Sequence, residues 1–139
     1  MQFKRLSFLF LIIAIAASSS IFSFFKLQPV NVKEYTLKNG MRVITHIDRS
    51  TPVVTVGTWY HVGSKNEVTG RTGFAHLFEH MMFQGSKNYD SDYFTPLQEA
   101  GGSINGTTNQ DRTWYFETVP KNFLELAIFM EADRLANLL

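Results

Sequence analysis

Residues 76–80, His-Leu-Phe-Glu-His, leave the backbone around them little choice. On a helix at 100° per residue, His76, Glu79 and His80 gather within an arc of about 100°. Phe74, Leu77, Phe78 and Met81 fall on the opposite side at the spacing of a core stripe, so the segment from Phe74 to Phe83 is expected to be a helix. His76 and His80 stand one turn apart, where two imidazoles can converge on one ion. The chain has no cysteine, so any metal must be held by His, Asp or Glu. Zinc takes imidazole nitrogens in a tetrahedron, and catalytic sites keep one position for water. Glu79 sits beside His80 and one turn from His76, placed to act on that water as a general base without being a ligand. The competing reading is a solvated helix face. A face of that kind usually carries Lys or Arg, and none occurs between Thr72 and Gly85.

The flanking segments mix strands and helices. Val32 to Leu37 runs into Asn39-Gly40, a hairpin turn signal, and Arg42 to Ile47 reads as the partner strand. Val53 to Val62, rich in Val, Thr, Trp and Tyr, predicts a third strand. Ser91 is expected to cap a short helix from Asp92 to Ala100, stopped by Gly101-Gly102. Residues 103–111 are polar and contain glycine, and residues 113–118 predict a strand whose Trp114, Tyr115 and Phe116 form core or pocket wall. Phe123 to Leu139 predicts a long apolar helix without a stop signal, with Leu124, Ile128 and Leu135 on one stripe. The expected class is α+β: a mixed or antiparallel sheet packed with helices, incomplete at the C-terminus.

The amino terminus reads as an export signal. Lys4 and Arg5 precede an apolar run, and Ser18-Ser19-Ser20 follows it. The apolar stretch from Leu6 to Phe25 also has the length of a membrane-spanning helix, so residues 1–25 are expected to be a signal peptide or a membrane anchor. The protein is then exported, and either periplasmic or held on the membrane facing away from the cytoplasm. Cleavage after Ser20 would change the formal net charge from +1 to −1, and there is no basic run. A nucleic-acid partner is therefore not expected.

The order His-x-x-Glu-His is that of the inverzincins. Residues 71–86, from Arg71-Thr72-Gly73 through the two histidines to Gln84-Gly85-Ser86, resemble the active-site helix of the pitrilysin (insulinase) family of zinc peptidases. Leu37-Lys38-Asn39-Gly40-Met41-Arg42-Val43 is similar to that family's opening hairpin. Gly101 to Thr108, followed by Thr113 and Tyr115, is similar to its substrate-edge segment, and Glu131-Ala132-Asp133-Arg134-Leu135 to its late helix. The resemblance runs from about residue 32 to residue 139, giving a partial N-terminal peptidase domain. It implies a metalloendopeptidase in which His76 and His80 bind Zn2+ and Glu79 is the catalytic base. It also implies a peptide or small-protein substrate, and a second peptidase half or partner subunit that closes a chamber. The family's third ligand is a Glu further downstream than the 59 residues that follow His80. The chain is therefore expected to be a fragment or truncated product lacking that ligand, and inactive alone.

Two further residues are candidates. Asn105 is either a substrate-binding residue that hydrogen-bonds a peptide laid along the edge segment, as the resemblance suggests, or a turn residue of Asn105-Gly106. Glu131, on the otherwise apolar stripe of the last helix, is open to three readings: an ion pair with Arg134, a third metal ligand, or a residue that orients the metal site from behind the ligands. His46 and His61 lack ligand spacing and read as structural. The alternatives to a peptidase are a non-catalytic zinc- or peptide-binding module and a membrane-anchored subunit of a peptidase complex.

Overall fold

The computed structural model describes residues 29–139; the expected signal or anchor over residues 1–25 lies outside the described residues. No helix among the described residues is long and apolar enough to cross a membrane. The chain divides into two units, the first ending at Asp48 and the second running from Arg49 to Leu139.

In the first unit, β1 (Val32–Thr36) and β2 (Arg42–His46) form the expected antiparallel hairpin, with Val32 opposite His46 and Thr36 opposite Arg42. Gly40 makes the turn possible at φ 87°, a left-handed conformation that side chains disfavour. Asn39 tightens it, its Oδ1 accepting the Met41 N–H at 3.1 Å. His46 Nδ1 lies 2.7 Å from the Asn31 carbonyl oxygen.

The second unit is built on an antiparallel sheet in the order β3 (Val53–Tyr60), β5 (Thr113–Pro120), β4 (Ser103–Thr108). The central strand alternates strictly, as the two-residue period of a strand requires. Thr113, Tyr115, Glu117 and Val119 are buried on one face, while Trp114 and Phe116 are half-buried on the other. Of the three consecutive aromatics, then, only Tyr115 enters the core. Trp114 instead stacks against Phe116 at 4.4 Å and Trp59 at 5.7 Å between ring centroids.

Three helices complete the unit: α1 (Phe74–Met81), α2 (Phe94–Glu99) and α3 (Leu124–Asn137). Phe83, Tyr93, Leu97, Tyr115, Val119, Ala127 and Met130 make the core. The architecture is α+β with antiparallel sheets, as expected.

Three local expectations are corrected. The apolar stripe of α1 is not its buried face: Phe74, Leu77, Phe78 and Met81 are exposed among the described residues, and Ala75 and Glu79 are buried. A small residue at 75 and a glycine at 106 suit a close approach of helix and sheet. A Cβ on Gly106 would lie 2.9 Å from the Phe83 ring, just past the end of α1. The cap of α2 is Asp92 and not Ser91. The Asp92 carboxylate accepts the N–H groups of Phe94 and Thr95 at 3.1 Å each and the Thr95 hydroxyl at 2.7 Å. Those hydrogen bonds, the Thr95 hydroxyl foremost, hold its pKa below the ordinary carboxylate value. In α3 the buried line is Ala127, Met130, Glu131 and Arg134, while Ile128 and Leu135 are exposed. Polar partners waiting inside the fold reverse the face that hydropathy selects.

Candidate active site

Helix α1 starts where Glu67 catches it. The Glu67 carboxylate accepts the Gly73 N–H at 2.9 Å and the Ala75 N–H at 2.8 Å. These are backbone donors that the first turn of a helix cannot satisfy internally. The same hydrogen bonds, that of Ala75 first, lower the pKa of Glu67. Gly73, at φ 92°, lets the chain turn into the helix at this point.

From that start the helix carries His76 and His80 onto its exposed side and Glu79 inward. The two imidazoles converge, with Nε2 of His76 and Nε2 of His80 3.1 Å apart. Zinc–imidazole bonds of 2.0–2.1 Å at a tetrahedral angle separate two nitrogen ligands by about 3.3 Å. The pair therefore fits two positions of a tetrahedral zinc ion. No group of three or more His, Asp or Glu placed to hold a metal occurs among the described residues.

Glu79 points toward the sheet, where Thr108, the last residue of β4, donates its hydroxyl proton to Oε2. Thr108 stands opposite Thr113 in the β4–β5 register, with the two hydroxyl oxygens 3.2 Å apart. Thr113 in turn donates to the Val62 carbonyl at 3.1 Å. An open groove of about 430 Å³ runs over this arrangement, lined by Glu67, His76, Glu79, Thr108 and neighbours on both sides. A peptide-sized ligand in it would meet a carboxylate and an imidazole within one turn of helix.

Asn105 lies on β4, at one edge of the three-stranded sheet, with its side-chain oxygen accepting the Gly106 N–H at 2.8 Å. Glu131 is placed elsewhere. It pairs with the Arg134 guanidinium and accepts the Tyr93 hydroxyl at 3.2 Å. The buried Tyr115 phenol is pushed upward in pKa chiefly by burial, with Arg134 opposing and the charges of Glu79 and Glu131 adding to the rise. Sequence reasoning missed Glu67, Thr108 and Thr113. Glu67 is six residues before Gly73, the residue that precedes the helix, outside any capping-box spacing. The threonines fall in the segment that resembles the family's substrate edge, but they are distant in sequence from Glu79 and nothing local links them to it.

Residues 42–139 match the family described as Insulinase (Peptidase family M16). The zinc protease PqqE of Helicobacter pylori is 34% identical over 105 residues, which are 74% of this chain and 24% of that protein. A probable mitochondrial-processing peptidase subunit beta of Arabidopsis thaliana is 34% identical over 103 residues, 73% of this chain and 19% of that one. The crystal structure of pitrilysin superposes with a TM-score of 0.75 at 29% identity, covering 82% of this chain and 12% of its own. The chain thus spans about a quarter or less of the length of these relatives.

Proposed function

Because this chain belongs to the insulinase family of peptidases, family M16, we propose that it carries the metal-binding helix of a zinc-dependent endopeptidase. His76 and His80 are the ligands and Glu79 the general base. The observation that supports this reading most is the pairing on α1 of two converging imidazoles outside with one buried, hydrogen-bonded carboxylate inside. Zinc, when bound, supplies Lewis-acid activation of water and of the scissile carbonyl at neutral pH.

The chain's own residues do the rest. Glu79 takes the proton from the attacking water and returns it to the departing amine. The groove bounded by Glu67, Thr107 and Gln110 receives the substrate, a peptide or small protein. Asn105 and the outer edge of β4 are placed to hold an extended segment by strand addition. Two imidazoles fill half of a tetrahedron, and the resemblance to the pitrilysin family supports a Glu outside the described residues as the third protein ligand, with turnover requiring it. One relative is by name a subunit of a processing peptidase, which supports a partner subunit or second peptidase half here too.

Taken alone, the 139 residues form a weak zinc-binding module without turnover. Isothermal titration with zinc is expected to show one site, lost in the His76→Ala, His80→Ala double variant. Unchanged affinity in that variant would remove both histidines from the account.

The proposed location is outside the cytoplasm, on the strength of the basic and apolar leader. Residues 1–30 fused to a reporter that is active only in the periplasm are expected to yield activity; an inactive reporter retained in the cytoplasm would overturn this.

A further inference from the structure

The geometry points to Thr108 as the positioning residue of Glu79, a role that rests on Glu79 being the base. Glu79 is buried, and its carboxylate Oε2 takes the Thr108 hydroxyl proton. Thr108 is the donor of this bond and commits its one hydroxyl proton to it. Thr113 gives its one proton to the Val62 carbonyl, and its hydroxyl oxygen lies 3.2 Å from that of Thr108. The hydroxyl that faces Glu79 thus lies against a second hydroxyl that is itself anchored to the backbone.

The strand makes this support rigid. Thr108 pairs with Thr113 in the β4–β5 ladder, and Thr113 lies on the buried face of the central strand. Both residues are β-branched, with restricted χ1. A glutamate side chain has three rotatable bonds and needs such an anchor to stay in one place. Holding Oε2 against the sheet keeps the carboxylate off the exposed side of α1, where the imidazoles meet, while Glu79 and His76 both line the groove. Thr108 therefore separates two possible fates of Glu79, base and ligand, by holding the carboxylate to the strand.

Two measurements test this. The first needs neither metal nor turnover: urea unfolding of the metal-free 139-residue chain in a double-mutant cycle. Thr108→Val, which keeps the shape and removes the hydroxyl, is expected to lower the unfolding midpoint more when Glu79 is present than in the Glu79→Ala background. An equal drop in both backgrounds would show that the Thr108 hydroxyl serves the strand and not Glu79, and would overturn the proposal.

The second is kinetic, in the longer protein that supplies the third ligand. Thr108→Val is expected to lower kcat by about tenfold to hundredfold, with KM within about twofold and zinc stoichiometry unchanged. Thr108→Ser, which restores the hydroxyl, is expected to recover most of the rate. Wild-type kcat in Thr108→Val, in a preparation where Glu79→Gln is inactive, would overturn positioning while leaving the base intact. Full activity in Glu79→Gln would instead remove the base reading itself, and this inference with it.

Discussion

Replacing Arg134 with methionine is expected to destabilise the protein by about 3–5 kcal/mol, the usual cost of removing one partner from a buried ion pair. Arg134 is 1% exposed. Its guanidinium lies 4.2 Å from the ring centres of both Tyr93 and Tyr115, and it pairs with Glu131. Glu117 lies in the same interior, fully buried, its pKa raised first by burial and then by the charge of Glu131, with Arg134 working the other way. Neither Glu117 oxygen finds a donor, and Glu131 Oε2 is likewise unpartnered among the described residues. A protonated Glu117 resolves this by offering its own proton to Glu131. Two acids and one cation thus sit inside the fold, and the cation is what makes the second acid tolerable as a charge.

The pH dependence follows from that arrangement. Glu117's pKa is raised in the folded state, so from the ordinary carboxylate value of 4.5 upward the folded chain holds a proton that the unfolded chain has released. Stability from this group therefore falls as pH rises. Arg134 opposes the upward shift of Glu117, so its removal deepens the trend. Urea unfolding should show a larger loss for Arg134→Met at pH 8 than at pH 5, and partial recovery when Glu131→Gln is added. A loss below about 1 kcal/mol at pH 8, the range of exposed pairs, would mean that the cluster is not the electrostatic unit described.

Most of this fold was legible in the sequence because local signals agreed with one another. Asn39-Gly40 marked the hairpin turn, β-branched and aromatic runs marked β3 and β5, and the glycines at 101–102 marked the end of α2. The helical spacing of His76, Glu79 and His80 was legible for the same reason: it depends only on local geometry. What stayed hidden was which side of a helix faces the sheet. Hydropathy assigned Phe74, Leu77, Phe78 and Met81 to the core of α1, yet the side that packs is set by Ala75, which lets the helix come close, and by Glu79, which has Thr108 to meet. In α3, Glu131 and Arg134 are buried because they satisfy each other and because two tyrosine rings accept the guanidinium. A single hydropathy value per residue cannot carry a partner that lies 29 positions away.

Glu79→Gln is expected to abolish peptide hydrolysis while leaving zinc in place. Glutamine is nearly isosteric with glutamate, and its carbonyl oxygen can still accept the Thr108 hydroxyl, so α1 and its histidines keep their geometry. What is lost is the capacity to take a proton. Removing a general base typically costs about 10²- to 10⁴-fold in rate, and more where the same group also passes the proton to the leaving amine. The loss should fall on kcat, since the substitution leaves the groove's shape and the edge of β4 as they are. Zinc content and peptide cleavage, measured on one preparation of the Glu79→Gln variant of the protein that includes this chain and its third ligand, test the account most directly. The prediction is wild-type zinc stoichiometry with turnover reduced at least a hundredfold or so; undiminished cleavage, or loss of the metal together with activity, would contradict the division of His76 and His80 as ligands from Glu79 as base.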